Sequence, residues 1–206
     1  MSVGKICVFF LHGSGSSGAD ISHFLNVAAL PEFEHRTFRQ ISDSMNIDII
    51  TPTARTRPYS AFGGMQSNVW YDRSPSFMAL GLDDTEDRAG VDLSISVIIE
   101  KVREIEHNYD HIFIGGFSMG GGLALHAVRQ QGLSKLRGVF SLGSFLVHNS
   151  AVFNVSKGHL ASVPVLMMHG DSDCVISCHW GRQTASNLLL WGADVQFRTY
   201  RNVDHE

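Results

Sequence analysis

A serine with a glycine two residues to either side, Gly116-Phe117-Ser118-Met119-Gly120, is the stretch of this chain best suited to nucleophilic chemistry. The apolar run Ile112-Phe113-Ile114 precedes it, and a helix-forming run from Leu123 to Val128 follows. A chain that turns sharply from strand to helix at the serine needs glycines there, because side chains would collide. The turn leaves the hydroxyl above the sheet edge, beside unpaired N–H groups of the helix start. A hydroxyl attacks only when a base takes its proton, and the base needs a partner to orient it. In this arrangement the acid and then the histidine follow the serine along the chain. The stretch His169-Gly170-Asp171-Ser172-Asp173 follows an apolar run. It therefore puts carboxylates at the C-terminal end of a strand, where open α/β sheets carry their sites. Asp173 is taken as the acid; Asp171, closer to the strand end, is read as a turn brace and is the alternative. His205, in Arg201-Asn202-Val203-Asp204-His205-Glu206, is taken as the base; His179, at the start of a helical pattern, is the alternative.

Acyl transfer also needs two N–H donors where the oxyanion forms. One is expected from the backbone of Met119, next to the nucleophile. The other is expected from the loop after the first strand, Leu11-His12-Gly13-Ser14-Gly15-Ser16-Ser17-Gly18, with Ser14 as the donor and Gly13 allowing close approach of the substrate. A phosphate-cradling loop is the rival reading, but the stretch has neither G-x-G-x-x-G nor a G-K-[ST] ending.

Six short, nearly continuous apolar runs must position these groups: Lys5 to Leu11, Ile47 to Thr51, His111 to Gly116, Leu136 to Leu142, Val163 to His169 and Val195 to Tyr200. Strands covered on both faces read this way. Amphipathic runs alternate with them. In the clearest, Val91, Ile95, Ile98, Val102 and Ile105 recur at three- and four-residue steps. A second helix is expected from Ser118 to about Gln131, and a third from about His179 to Trp191, stopped at Gly192. The alternation predicts an α/β chain: a three-layer α/β/α sandwich on a mostly parallel sheet, strand order 2-1-3-4-5-6, with right-handed connections. The stretch from Pro52 to Ser76, with paired Gly63-Gly64 and the aromatics Tyr59, Phe62, Trp70 and Tyr71, is long for a passive connector and is expected as a loop over the site.

The 206 residues suit one domain, 1–206, and 44% hydrophobic with 17% charged residues argues against disorder. A net charge of -4 without a Lys/Arg run argues against nucleic acid as a partner. Three cysteines, an odd number, point to a reducing compartment and a cytoplasmic protein. The opening apolar run ends at His12-Gly13 and reads as a buried strand, not a leader, and no run is long enough for a transmembrane segment. Eleven histidines raise the question of a metal, but no H-x-H, H-E-x-x-H or Cys/His spacing supports one.

Together the HGSGSSG, GFSMGG, HGDSD and VDHE stretches resemble the acyl-protein thioesterase, or lysophospholipase/carboxylesterase, family. Gly63 to Arg73 and Gly143-Ser144-Phe145-Leu146 look like its lysophospholipase-like branch. The resemblance runs through nearly the whole chain in matching order. It implies an α/β-hydrolase fold and a cofactor-free serine hydrolase of acyl esters or thioesters, S-acylated proteins among them. It also implies a triad of Ser118, Asp173 and His205, with Gly13, Trp70 and Phe145 at the acyl site. A non-catalytic module that holds an acyl chain is the reading from another class. Two departures stand out. Met119 replaces the usual Gln of the family, which changes the side chain near the acyl group but keeps the backbone donor. Family members also carry extra N-terminal strands and a final helix that this chain lacks. A base so near a chain end is prone to fraying, so reduced stability or activity is expected unless His205 is held within reach of Ser118.

Overall fold

The computed structural model describes residues 4–130, 132–156 and 163–205. Six parallel strands form the central sheet: β1 (Ile6–Leu11), β2 (Ile47–Ile50), β3 (His111–Phe117), β4 (Leu136–Leu142), β5 (Val165–Gly170) and β6 (Val195–Tyr200). Their order across the sheet is 2-1-3-4-5-6, as the sequence predicts. β5 starts two residues later than expected, after Pro164, which has no N–H to give to a ladder.

Among the described residues, five helices of seven or more residues flank the sheet: α1 (Gly18–Val27), α2 (Phe38–Ser44), α3 (Arg88–Ile105), α4 (Met119–Leu125) and α5 (Cys178–Leu190). The order turns back at β1, so right-handed crossovers place α1 and α2 on one face and the later helices on the other. Cys7, Phe9 and Leu11 of β1 are buried in one cluster with Val91, Ile95, Ile98 and Val102 of α3, Leu123 of α4 and Leu188 of α5. The helix starts are capped by side chains: Ser17 for α1, a Thr37/Gln40 capping box for α2, Asp87 for α3 and Ser177 for α5.

Two elements differ from expectation. The α-helical part of α4 ends at Leu125 and tightens to 3₁₀ over His126–Arg129; the expected end at Gln131 lies outside the described residues. The stretch from Pro52 to Ser76 is not an open loop. Thr56–Tyr59 and Met65–Asn68 pair as an antiparallel hairpin, with Gly63 and Gly64 at positive φ in its turn. The hairpin is tethered to α3 through Asp87, whose carboxylate caps the helix, pairs with Arg57 at 3.1 Å and accepts from the Asp72 N–H at 2.8 Å.

The tightened turn after α4 carries the buried His126. Its Nδ1 accepts from the Arg129 Nε–H at 3.2 Å, so the other nitrogen carries the proton and faces Glu86 Oε1 at 3.3 Å. Burial pulls the pKa of His126 below its ordinary 6.5 despite the nearby Glu86 carboxylate. This contact is therefore a neutral imidazole donating to a carboxylate rather than an ion pair. Burial lowers the pKa of His12 too. Both groups bind protons more readily in the unfolded chain. Their contribution is complete above about pH 6.5 and is lost as pH falls below it. Melting temperatures taken at about pH 7.5 and about pH 5.5 should fall on acidification, and fall less in H126Q. An equal fall in both proteins would remove His126 from this account.

Candidate active site

Ser118 sits where β3 gives way to α4, at φ 53° and ψ −121°, a backbone conformation that L-residues rarely adopt. The strain is held from several sides. The Ser118 N–H donates to the Leu142 carbonyl at 2.8 Å, and its own carbonyl accepts from Gly122 N–H at 3.1 Å. The glycines around it let α4 press on the end of β1. A β-carbon at Gly120 would lie 2.2 Å from the Leu11 carbonyl oxygen, and one at Gly116 would lie 2.5 Å from the same atom. Those contacts are with backbone, which cannot step aside. Gly120→Ala is therefore expected to destabilise the protein at or beyond the upper end of the ~1–3 kcal/mol typical of overpacking, read as a lowered midpoint in urea; an unchanged midpoint would refute the close approach.

The structure brings Ser118, His205 and Asp173 into one line. Ser118 Oγ is 3.1 Å from His205 Nε2, and His205 Nδ1 is 2.8 Å from Asp173 Oδ2. The His205 ring stacks at a tilt on Phe117, centroids 4.7 Å apart. The Asp173 side chain is buried, three residues past the end of β5, with its carboxylate engaged: Oδ1 accepts from the N–H groups of Val175 (3.0 Å) and Ile176 (2.7 Å). Asp171 is not part of the line. It accepts from Asn202 N–H at 2.8 Å and from the Ser172 hydroxyl, so it braces the turn. His179 lies at the start of α5, its N–H given to the Ser177 hydroxyl.

His205 is fastened despite its place near the last described residue. The Asp204 carboxylate accepts from the backbone N–H groups of Cys174 (2.9 Å) and His205 (2.7 Å), and from the Cys174 thiol. These N–H donors hold the Asp204 carboxyl below its ordinary pKa. Ser172 N–H donates to the Val203 carbonyl, and Asp171 N–H to that of Tyr200. A β-carbon on Gly170 would lie 2.1 Å from the Val203 oxygen, so the segment lies directly on the end of β5. The fraying expected of a base near the chain end is opposed by this clamp.

The loop after β1 closes the other side. A β-carbon at Gly13 would stand 3.3 Å from Ser118 Cβ, so this loop passes directly beside the nucleophile. Gly15, at φ +82°, donates its N–H to the Asn68 carbonyl in the hairpin, and Ser14 is within hydrogen-bond reach of the buried Tyr59 hydroxyl. His12, fully buried, accepts from Ala54 N–H at 3.0 Å through Nε2, which leaves Nδ1–H to meet the Gly13 carbonyl at 2.6 Å. Trp70 gives its indole N–H to the His12 carbonyl at 2.8 Å and is itself held by the Ser94 hydroxyl. Trp70 (4% exposed) and Phe145 (2%) are both packed inward, the latter between Arg73 and Trp180, so they support the site from behind rather than offering surface to a ligand. Sequence reasoning missed His12 and His169 as site supports. Their motifs were visible, but the Ala54 and Trp70 partners of His12 lie in another segment, and the fold of the turn after β5 is what brings the Ile176 carbonyl to His169. Among the described residues no cluster of three or more His, Cys, Asp or Glu is placed to hold a metal, and no helix is long and apolar enough to cross a membrane.

A serine on a strained strand-to-helix turn, at the C-terminal edge of a parallel sheet flanked by helices, defines an α/β-hydrolase. The chain belongs to the phospholipase/carboxylesterase family, whose sequence profile matches residues 4–206. It is 33% identical over 207 residues to lysophospholipase-like protein 1 of Mus musculus, covering 97% of this chain and 79% of that protein. It is 30% identical over 202 residues to acyl-protein thioesterase 1 homolog 1 of Dictyostelium discoideum, covering 96% and 82%. Among solved structures it superposes on Zea mays acyl-protein thioesterase 2 with a TM-score of 0.78 at 26% identity, over 98% of this chain and 87% of that one. The resemblance read from the motifs is thus shown, and at that level the protein is an esterase-type hydrolase.

Proposed function

We propose that this protein hydrolyses acyl esters or thioesters with Ser118 as nucleophile, His205 as base and Asp173 as its orienting acid. The observation that carries the reading is the unbroken run of hydrogen bonds from Ser118 Oγ through both nitrogens of His205 to Asp173. Because Asp173 accepts at Nδ1, the proton sits there and Nε2 is free to take the serine's proton. Ser118 then attacks the acyl carbonyl. The N–H groups of Ser14 and Met119 hold the oxyanion, His205 protonates the departing thiol or alcohol, and water repeats the cycle on the acyl-enzyme. Gly13 leaves room beside Ser118 for the carbonyl, while Trp70 fixes the loop that carries Ser14. The thioesterase relatives favour an S-acylated substrate, proteins included. The three free cysteines favour a cytoplasmic setting.

A p-nitrophenyl ester series from acetate to palmitate, with S118A run alongside, tests the reading. Activity absent from the variant supports it, and the chain-length optimum measures the depth of the acyl site. Acyl-chain binding without turnover in the parent would favour the binding-module reading instead.

A further inference from the structure

The peptide group that offers Ser14 N–H to the site also carries the Gly13 carbonyl, and that carbonyl has a buried partner. His12, fully buried just after β1, lies 2.6 Å from it through Nδ1. Nε2 of the same ring accepts from Ala54 N–H at 3.0 Å. Burial pulls the His12 pKa below its ordinary 6.5, so the ring is neutral and has one N–H to give. With Nε2 accepting, the proton sits on Nδ1 and goes to the Gly13 carbonyl. Ser16 N–H reaches the same oxygen at 3.3 Å. Trp70 steadies the imidazole, ring centroids 4.9 Å apart, while its indole N–H holds the His12 carbonyl. No peptide bond among the described residues is cis, so the Gly13 C=O and the Ser14 N–H point in opposite directions. A carbonyl pinned to the buried His12 ring therefore turns Ser14 N–H away from the core. Among the described residues that N–H meets no acceptor, and Gly13 stands directly beside Ser118.

We propose that His12 is a positioning residue for the oxyanion site: its Nδ1–H fixes the Gly13–Ser14 peptide plane so that Ser14 N–H faces the oxygen of the tetrahedral intermediate. This rests on the hydrolase reading above. His12 touches no reacting atom and acts through one carbonyl. The peptide is set before substrate arrives, so the donor need not reorient as charge develops. A purely packing role would need the ring's volume and its bond to Ala54, but not the donor on Gly13.

Two amide side chains separate the two ring nitrogens. H12N places its NH₂ near Nδ1 and loses the acceptor for Ala54 N–H; H12Q reaches Ala54 N–H with its amide oxygen and loses the donor on Gly13. Both should lower the midpoint in urea. In H12Q kcat on a p-nitrophenyl ester should fall on the order of 10- to 100-fold, less than the loss of an oxyanion donor outright, with KM near that of the parent. H12N should recover most of that rate. An alkyl trifluoromethyl ketone reports on the oxyanion itself: Ser118 Oγ bonds to its carbonyl carbon, the serine proton passes to His205 and the ketone oxygen becomes the anion. Its inhibition constant should rise in H12Q by the factor lost in kcat/KM and return in H12N. Two NMR readings on the parent need no variant to fold. Nitrogen-15 spectra should show His12 protonated at Nδ1 and bare at Nε2, and the Ser14 amide proton should move downfield when the ketone binds. A proton on Nε2, or an unmoved Ser14 amide, would overturn the proposal. Parent-like kcat and ketone affinity in H12Q would overturn it too, as would equal losses in H12Q and H12N, because activity then follows stability and not the bond to Gly13. An inactive parent, or an S118A as active as the parent, would instead sink the hydrolase reading. An active parent with inert S118A and an unaffected H12Q sinks only the role of His12.

Discussion

Ser118→Ala is expected to lower ester turnover by on the order of 10⁶-fold while leaving the fold untouched. Alanine keeps the β-carbon, so it meets the same backbone strain at φ 53° as serine and adds no new contact. The turn's hydrogen bonds to Leu142 and Gly122 are backbone bonds and survive. What disappears is the one oxygen within 3.1 Å of His205 Nε2. The N–H donors and the binding surface remain, so a residual rate above the uncatalysed reaction is expected. The melting temperature should stay at the parent value. Substantial turnover in S118A, above trace contamination, would move the nucleophile elsewhere.

Asp173→Asn should cost about 10⁴-fold in kcat, the effect of holding a catalytic histidine in the wrong tautomer. The surroundings of Asp173 say why. Its Oδ1 faces two backbone N–H groups, so an asparagine must keep its oxygen there. Its NH₂ then faces His205 Nδ1, donor against donor. His205 escapes by moving its proton to Nε2, which points at Ser118 and can no longer accept. Asp171→Asn is the control: that side chain meets Asn202 and Ser172 away from the relay, so only a small change is expected. Steady-state kinetics on one p-nitrophenyl ester separates the two; a greater loss in D171N would reassign the acid.

The sheet was legible because a strand covered on both faces leaves an apolar run, and all six runs from Lys5 to Tyr200 found their places and order. The long helix α3 was legible from its three- and four-residue steps. The hairpin was not. Pro58 argues against a strand, and the exposed Met65 and Gln66 leave no apolar alternation to read, although Gly63-Gly64 did mark the turn. The tightening of α4 to 3₁₀ after Leu125 was not legible, since no Gly or Pro marks it; there His126 meets Glu86 and Arg129 across segments. At the site, Ser118, Asp173 and His205 were readable because chain order and strand ends constrain them. The inward packing of Trp70 and Phe145 and the clamp at Asp204 each depend on contacts between segments far apart in the sequence. No local pattern carries that information.

The central claim is that Ser118 is activated by His205. Mass spectrometry of the protein after brief exposure to a fluorophosphonate probe tests it directly, since only an activated serine reacts quickly. The account predicts a single adduct on the peptide bearing Ser118, absent from S118A and strongly slowed in a His205→Ala variant. No adduct on the folded parent, or labelling that persists in S118A, would contradict it.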